Sequence, residues 1–313
     1  MDNSLDHNPV MLNEMLKYLA PQDGEIFLDT TFGAGGYSKA ILDSCNCNIV
    51  SIDKDPTVAL YVEKLSKEYN NRFKFIQSDF AQIPEKCGID IKFDGIVMDL
   101  GVSSMQLDEG TRGFSFAKDG PLDMRMSNTG FSAADFINSE AEEEIANVIY
   151  RYGDETFSRR IAKRIVEERK IEPIISTLRL ANIVCSSIFG KRGKIHPATK
   201  TFQAIRIHVN DELGQIERFL SNVRRILAPN GRLVIVTFHS LEDSIIKKFF
   251  QENSVKIVAR SKYSKEKQII EEWQWLKILT KKAVIPSRDE IKLNPRSRSA
   301  KLRASIRLGD CYV

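Results

Sequence analysis

The first hundred residues alternate short apolar segments with segments of helical periodicity, and this alternation restricts the possible folds more than any other feature. The apolar segments are rich in β-branched and aromatic residues, as strands are. They are EIFLDTTF (25–32), NIVSID (48–53), FKFIQSDF (73–80) and FDGIVMDLG (93–101). Near-continuous apolar strands that alternate with helices indicate a parallel sheet covered on both faces. The sequence therefore predicts an α/β fold.

A long segment without strand candidates interrupts this pattern. From about Gln106 to Lys200 the apolar residues follow helical periodicity instead. We therefore predict a first core part at residues 1–105, an inserted helical substrate domain at 106–200, and a second core part with a basic tail at 201–313.

Capping residues predict where several helices begin. Ser139 with Glu142, and Ser240 with Asp243, have the spacing of a capping box. Apolar residues from Val209 to Leu227 recur at steps of four and three, which predicts one long helix. The remaining strand candidates are RLVIVTFHS (232–240) and SAKLRASIRL (299–308), the latter as the last strand of the sheet.

Three glycines, Gly33, Gly35 and Gly36, follow the first strand. Glycine is needed where φ is positive or where the backbone closely approaches another group. In an α/β sheet ligands bind beyond the carboxyl ends of the strands, where this turn lies. The dinucleotide fingerprint GxGxxG requires a third glycine at the position of Ser38. The glycines alone leave open a nucleotide phosphate, an adenosyl group or a simple tight corner.

Carboxylates end the strands that follow. Asp53 ends the second strand, twenty residues after the first of these glycines, the distance at which an acid holds ribose hydroxyls. Asp79 and Phe80 end the third strand, and Asp99 ends the fourth. This acidic rim disfavours a pyrophosphate and favours S-adenosylmethionine, which carries a cationic sulfonium and an ammonium group. We expect Asp53 to bind the ribose, Phe80 to pack on the adenine, and Asp29 to face the ammonium.

Composition places limits on the class of protein. The five cysteines are odd in number and scattered, which argues against a disulfide framework or a zinc site. The amino-terminal residues lack the basic start and apolar core of a signal peptide, and no apolar run approaches the length of a membrane span. We therefore expect a soluble cytoplasmic protein that binds no membrane.

Motifs along nearly the whole chain resemble one family. They are HNPVMLNEML, LDTTFGAGGYS, DGIVMDLGVSSMQLDEGTRGFSFAKDGPLDMRM, TFQAIRIHVNDEL, LVIVTFHSLEDSIIK and NPRSRSAKLRA. The sequence is similar to the bacterial ribosomal RNA small-subunit methyltransferase H family, also called MraW. The resemblance implies a Rossmann-like class I methyltransferase sheet with an inserted helical domain. It also implies methylation of the exocyclic N4 of one cytidine in the decoding centre of 16S ribosomal RNA, in the small subunit or a late precursor.

The same resemblance implies S-adenosyl-L-methionine as the cofactor and indicates which residues bind it. In addition to Gly33 of the turn, they are Gly35, Gly36, Tyr37, Asp53, Phe80, Asp99 and Gln106. One position departs from the family, which commonly has histidine where this chain has Tyr37. A contact made there through the backbone survives this change, whereas one made by an imidazole does not.

Transfer to cytosine N4 requires positioning of the amine and stabilisation of developing charge. We expect Asp99, with Ser103 or Ser104, to line the amine pocket. His239, after the fifth strand, is a second candidate, and a purely structural histidine is the alternative. No cysteine lies at either strand end and the four histidines stand apart, so we expect neither a thiolate nucleophile nor a metal.

Basic residues and one loop are candidates for RNA binding. Basic clusters occur at residues 158–164, 190–196 and 281–303, although the formal net charge is only +4. In the loop DEGTRGFSF, we expect Arg112, Phe114 and Phe116 to shape the base pocket. Packing between domains is the alternative for the two phenylalanines.

Two other functions stay open at this point. A nicotinamide-dependent oxidoreductase is disfavoured by the missing third glycine and the acidic rim. A non-catalytic RNA-binding assembly factor is disfavoured by the intact Gly33, Gly35, Asp53 and Asp99.

Overall fold

The computed structural model describes residues 9–83, 91–188, 196–255 and 274–309. The chain divides into two units. The sheet unit comprises Met1–Gly101 and Gln215–Val313, and the helical unit comprises Val102–Gly214. No described helix combines the length and the apolar character that a membrane crossing requires.

The sheet unit contains a seven-stranded mixed sheet in the order β3-β2-β1-β4-β5-β7-β6. The strands are β1 Ile26–Asp29, β2 Asn48–Asp53, β3 Phe73–Gln77, β4 Phe93–Asp99, β5 Leu227–Thr237, β6 Leu276–Ile278 and β7 Lys301–Arg307. Strands β1 to β5 are parallel, as predicted, whereas β7 is antiparallel to both of its neighbours. The α/β fold with a Rossmann-like sheet is confirmed.

Helices accompany the sheet. They are α1 Leu12–Leu19, α2 Gly36–Ser44, α3 Ala59–Tyr69, α10 Glu212–Ile226, α11 Ser240–Asn253 and α12 Arg288–Leu293. The strand order reverses between β1 and β4, which pair through Phe27 with Gly95 and Asp29 with Val97. Ligands of open α/β sheets bind at such a reversal, beyond the carboxyl ends of the strands.

The predicted last strand, 299–308, forms β7, but it does not lie at the edge of the sheet. It pairs with β5 on one side and with β6 on the other. The sequence did not reveal β6 because its three residues, Leu276–Ile278, are too few for a pattern to show.

The helical unit has its own hydrophobic core, which helices from all parts of the unit share. Its helices are α4 Ser104–Asp108, α5 Ala133–Ser139, α6 Glu142–Gly153, α7 Ser158–Arg169, α8 Thr177–Ser187 and α9 Thr199–Val209. The predicted boundaries at 106 and 200 both fall inside helices, because Gln106 lies in α4 and Lys200 in α9. Since α9 contributes Phe202 and Ile205 to the core, the unit extends beyond residue 200.

The predicted capping box of Ser139 and Glu142 is wrong. Ser139 is the last residue of α5, and its hydroxyl donates to the carbonyl of Asp135. Helix α6 begins at Glu142 with no side-chain cap. The actual capping box lies one helix earlier, where Ser132 and Asp135 bond reciprocally.

The predicted long helix from Val209 to Leu227 is two elements and the start of a strand. Helix α9 ends at Val209, and Asp211 has a left-handed φ of 48° before α10 begins. Leu227 already belongs to β5. The apolar periodicity continues across the break because both helices bury one face, so periodicity alone did not show it.

Asn210, in this break, binds three backbone groups of the helical unit. Its Oδ1 accepts from the N–H of Met126 at 2.8 Å, and its Nδ2 donates to the carbonyls of Met124 at 2.7 Å and Arg206 at 2.9 Å. Met124 is fully buried with a φ of 60°, a conformation rare for residues other than glycine. Asn210 therefore supports a strained loop that no secondary structure holds.

We expect Asn210→Ala to lower the free energy of unfolding by about 2–4 kcal/mol, since it leaves buried N–H and C=O groups without partners. Urea denaturation monitored by circular dichroism measures this change. As a control, Asn222→Ala removes an amide whose hydrogen bond to the Arg218 carbonyl lies on the solvent side of α10, and its expected cost is below about 0.5 kcal/mol. Equal effects of the two substitutions contradict this role of Asn210.

Candidate active site

The glycine turn between β1 and α2 requires its glycines for two different reasons. Gly33 and Gly35 have φ values of 53° and 80°. A Cβ on Gly35 would lie 2.8 Å from the Phe32 ring, and one on Gly36 would lie 2.3 Å from Cγ of Pro9. A Cβ on Gly33 would meet no atom of the described chain within 4 Å. The turn is therefore packed from behind and open at Gly33.

Asp53 joins the end of β2 to this turn. Its Oδ2 accepts from the N–H of Gly33 at 2.8 Å, and its Oδ1 accepts from the N–H of Asp55 at 2.9 Å. Burial raises the pKa of Asp53, whereas these two donors lower it. A carboxylate oxygen accepts more than one hydrogen bond, so Asp53 retains capacity for hydroxyl groups such as those of a ribose.

Asp99 ends β4, and its backbone N–H donates to Oγ1 of Thr31 at 2.7 Å. Its Oδ1 is buried and has no hydrogen-bond partner among the residues that the structure describes. Burial, and then the charges of Asp29 and Glu242, raise the pKa of Asp99 well above its usual range. A buried carboxylate oxygen without a partner is costly, and it indicates a position where a ligand supplies a donor or a positive charge.

Asp29, at the end of β1, does not face a ligand. Its side chain is fully buried; Ser38 donates its hydroxyl to Oδ2 at 2.6 Å, and Thr31 donates its N–H to Oδ1 at 3.1 Å. The expectation that Asp29 contacts an ammonium group is therefore wrong. Burial raises its pKa to about 6 in spite of these donors. Asp29 acts on the site through its charge, which raises the pKa values of Asp99 and of Tyr37.

Phe80 follows β3 in a short 3-10 turn, Phe80–Gln82. Its half-buried ring packs edge-on against Phe219 of α10, with 5.8 Å between the ring centroids. The adjacent Asp79 has its Oδ1 4.0 Å from the Lys54 ammonium. The ring is thus held from one side.

His239 caps α11 in the structure. Its Nδ1 accepts from the N–H of Glu242 at 3.4 Å, and Oε2 of the buried Glu242 accepts from the N–H of Phe238 at 2.8 Å and of His239 at 3.2 Å. The predicted cap of Ser240 and Asp243 is therefore displaced by one residue.

Three predicted residues lie at the start of the helical unit. Ser103 and Gln106 form the capping box of α4: Ser103 Oγ accepts from the Gln106 N–H at 3.2 Å, and Gln106 Oε1 accepts from the Ser103 N–H at 3.0 Å. Ser104 is the first residue of the same helix. Ser103 lies two residues after Gly101, where the first part of the sheet unit ends, and four residues after Asp99 at the end of β4.

The candidate base pocket is built differently from the prediction. Phe114 is buried in the core of the helical unit, so stacking on a base would require the unit to unpack. Packing is its role, although within the unit rather than between domains. Arg112 donates to the carbonyls of Arg125 and Met126 at 3.0 Å each. Phe116 is half-buried and stacks on His196 at 4.5 Å between centroids.

The basic clusters are partly neutralised. Asp243 accepts from Arg303 at 2.7 Å and from Lys301 at 3.2 Å, which links α11 to β7. Lys292 pairs with Asp289 at 2.9 Å. Arg159 and Lys163 of α7 are exposed. Within 190–196, only His196 is among the described residues.

Sequence reasoning missed Thr31 and Glu242. Thr31 holds the backbone at Asp99, and Glu242 adds negative charge near it. The spacing of Ser240 and Asp243 after β5 did indicate a capping box, but the box is formed by His239 and Glu242. The same three-residue spacing, applied one residue earlier, would have identified Glu242.

The sheet and this rim define a Rossmann-like methyltransferase. Parallel strands in the order 3-2-1-4-5 are followed by the antiparallel strands β7 and β6, and carboxylates at the strand ends lie beside a glycine turn where the order reverses. The chain belongs to the MraW methylase family, whose model matches residues 4–307. The family that the motifs indicated is thereby confirmed, and with it S-adenosylmethionine as the cofactor instead of a nicotinamide dinucleotide.

Proteins of Rickettsia species are similar to this chain over nearly its whole length. The chain is 62% identical over 299 residues to "Ribosomal RNA small subunit methyltransferase H" of Rickettsia canadensis (strain McKiel), with 96% of this chain and 97% of the relative covered. It is 60% identical over 302 residues to the protein of that name from Rickettsia bellii (strain OSU 85-389), with 96% and 99% covered.

Solved structures give weaker similarity. An rRNA methylase from Streptococcus thermophilus matches with a TM-score of 0.39 and 10% identity, covering 95% of this chain and 93% of that one. The N-methyltransferase NodS from Bradyrhizobium japonicum WM9, in complex with S-adenosyl-L-homocysteine, matches with a TM-score of 0.44 and 10% identity, covering 97% and 90%.

The residues at the rim fit this cofactor. Asp53 retains acceptor capacity for ribose hydroxyls, and no described atom lies within 4 Å of a Cβ placed on Gly33. Oδ1 of Asp99, which no described residue bonds, is influenced by the negative charges of Asp29 and Glu242, which a cation would offset.

We expect Asp29→Asn to change how stability depends on pH. Because folding raises the pKa of Asp29 from 3.8 to about 6, the folded protein binds this proton more tightly, and stability is lost as pH rises through this window. The wild-type free energy of unfolding should therefore fall relative to the variant by about 2 kcal/mol between about pH 4.5 and pH 7. Urea titrations of both proteins test this, and parallel curves contradict it.

Proposed function

We propose that this chain transfers the methyl group of S-adenosylmethionine to the exocyclic N4 of a cytidine in the decoding centre of 16S ribosomal RNA. Two findings support the RNA substrate: the family membership, and relatives above 60% identity named as ribosomal RNA small subunit methyltransferases. The observation that supports an amine as the methyl acceptor is Asp99 at the end of β4, whose buried Oδ1 has no hydrogen-bond partner in the part of the chain that the structure describes.

The cofactor supplies a methyl group on a cationic sulfonium. Asp53 binds the ribose hydroxyls and, through the Gly33 N–H, fixes the turn that borders the cofactor. Phe80 packs on the adenine with the ring face that Phe219 leaves available. Gly35, Gly36 and Tyr37 contribute through their backbone.

Asp99 acts on the amine. Burial, with the charges of Asp29 and Glu242, raises the pKa of Asp99, and a cation bound beside this carboxylate would lower it. An ionised Asp99 accepts a hydrogen bond from the N4 amino group of the cytosine, which reduces the conjugation of the N4 lone pair with the ring. When the methyl group is transferred to N4, Asp99 takes up the proton that the amino group releases. Ser103 and Ser104 are proposed to line the same pocket, Gln106 to support it, and His239 to shape it from the end of β5.

The helical unit is proposed as the substrate domain. Exposed Arg159 and Lys163 of α7, and Lys281, Lys282 and Arg298 near the carboxyl end of the sheet unit, are cations suited to RNA phosphates. Arg112 and Phe116 remain proposed contributors to the base pocket.

We expect Asp99→Asn to reduce methyl transfer at saturating cofactor by about 100-fold or more, since the amide is a poor proton acceptor. The assay measures radiolabelled methyl incorporation into small subunits from cells that lack this protein, and mass mapping locates the modified nucleoside. Asp94→Asn, at the opposite end of the same strand, is the matched control and should retain activity. Full transfer by Asp99→Asn, or methylation at a carbon or ring nitrogen, contradicts the proposal.

RNA binding should weaken steeply with added salt. Arg159→Ala with Lys163→Ala should reduce the magnitude of the slope of log K against log salt by about 1.4, for two lost phosphate contacts at about 0.7 each. Lys67→Ala is the control because Glu63 already pairs with Lys67, at 2.5 Å. Filter binding to 16S RNA measures the slope. Wild-type binding that does not change with salt contradicts the proposal that these basic residues bind RNA phosphates.

A further inference from the structure

The segment Pro9–Met11 is fastened to the glycine turn. The buried Tyr37, on α2, donates its hydroxyl to the carbonyl of Val10. The Pro9 ring occupies the space in which Gly36 lacks a side chain, because a Cβ there would lie 2.3 Å from Pro9 Cγ. Two consecutive residues at the start of α2 therefore hold the segment by a hydrogen bond and by close packing.

A second anchor holds the same segment from the other end of the chain. Oε1 of Glu290, on α12, accepts from the backbone N–H of Met11 at 2.6 Å. Met11 is fully buried and has a φ of 53°, which costs about 1–2 kcal/mol for a residue with a side chain. Because this conformation is unfavourable in itself, the carboxylate of Glu290 and the phenol of Tyr37 help to maintain it.

The glycine turn is the part of the site that most needs such support. Gly33 and Gly35 both have positive φ, and glycine has more conformations to lose on ordering than any other residue. A turn that is ordered before the cofactor arrives binds it more tightly, because the ordering cost falls on folding and not on binding. The contacts of Gly36 and Tyr37 with Pro9–Met11 supply this order directly behind the turn.

We propose that Tyr37 is a positioning residue for the cofactor: its hydroxyl fastens Pro9–Met11 behind the glycine turn, with Glu290 as the second anchor, and so holds the turn in its binding conformation. The side chain of Tyr37 does not contact the ligand in this proposal, because it is buried and its hydroxyl donates to the Val10 carbonyl. Burial, with the charges of Asp99 and Asp29, raises the pKa of Tyr37 well above its usual value, so the hydroxyl remains a donor.

The proposal rests on the cofactor assignment and is tested by binding. Calorimetry with S-adenosylhomocysteine compares the wild type with Tyr37→Phe, Glu290→Gln and the double variant, and thermal melting is recorded for each. Tyr37→Phe keeps the buried ring and removes only the donor. The matched control is Tyr69→Phe, which removes another phenol hydroxyl of the sheet unit, one that binds Asp43 and Lys39 on the outer face of α2.

We expect Tyr37→Phe to raise the Kd for S-adenosylhomocysteine about tenfold and Glu290→Gln about threefold. Since both act on one segment, the double variant should show less than the product of the two factors. The KM for the methyl donor should rise with kcat unchanged, and hydrogen exchange at the Met11 amide should accelerate. Tyr69→Phe should lower the melting temperature and leave Kd within about twofold.

The role is overturned if Tyr37→Phe and Glu290→Gln lower the melting temperature while Kd stays at the wild-type value, because both contacts are then merely structural. Should Tyr37→Phe fail to fold, Glu290→Gln decides alone: an unchanged Kd overturns the proposal and a raised Kd supports it. A wild-type protein that does not bind S-adenosylhomocysteine overturns the cofactor assignment itself, which distinguishes that failure from failure of the positioning role.

Discussion

The hydrogen bond from the Gly33 N–H to the Asp53 carboxylate is the interaction on which the site depends. It joins the turn after β1 to the end of β2, so the position of the glycine backbone is set by a neighbouring strand and not by the turn alone. A turn with two positive φ values has many alternative conformations, and one charged acceptor selects among them. Burial makes this selection stronger, because a buried carboxylate that loses a donor costs more than an exposed one.

The same edge of the sheet concentrates negative charge. Asp29 ends β1, Asp99 ends β4, and Glu242 lies in the first turn of α11. Burial, and then repulsion by the charges of Asp29 and Glu242, raise the pKa of Asp99. Hydrogen bonds within the protein hold both oxygens of Asp29 and Oε2 of Glu242, whereas Oδ1 of Asp99 has no partner among the described residues. The charges of Asp29 and Glu242 therefore act on a carboxylate whose Oδ1 no described donor stabilises. A cation near Asp99 relieves this repulsion, and a phosphate would increase it, which is the physical reason that this sheet suits a sulfonium and not a dinucleotide.

The sequence predicted those features that depend on local pattern. Strands β1 to β5 were visible because parallel strands are apolar on both faces, and the rim was visible because parallel strands all end at one edge. What escaped prediction depends on packing between distant segments. Phe114 has the sequence context of a loop aromatic, but tertiary packing buries it in the helical unit. The break at Asp211 was hidden because the apolar period runs through it, and Glu290 binds Met11 across 279 residues of sequence.

Ser38 shows how a departure from a known fingerprint carries information of its own. A dinucleotide-binding turn has glycine at this position so that the helix packs closely on the strand. Here the Ser38 hydroxyl is fully buried, donates to Asp29 at 2.6 Å and lies 2.8 Å from the hydroxyl of Ser51 on β2. Glycine at 38 would remove the side-chain donor to Asp29 and leave a buried carboxylate oxygen short of a partner. Ser38 is therefore required by Asp29, the buried acid that precedes the glycine turn, and its hydroxyl stabilises a carboxylate at the end of β1.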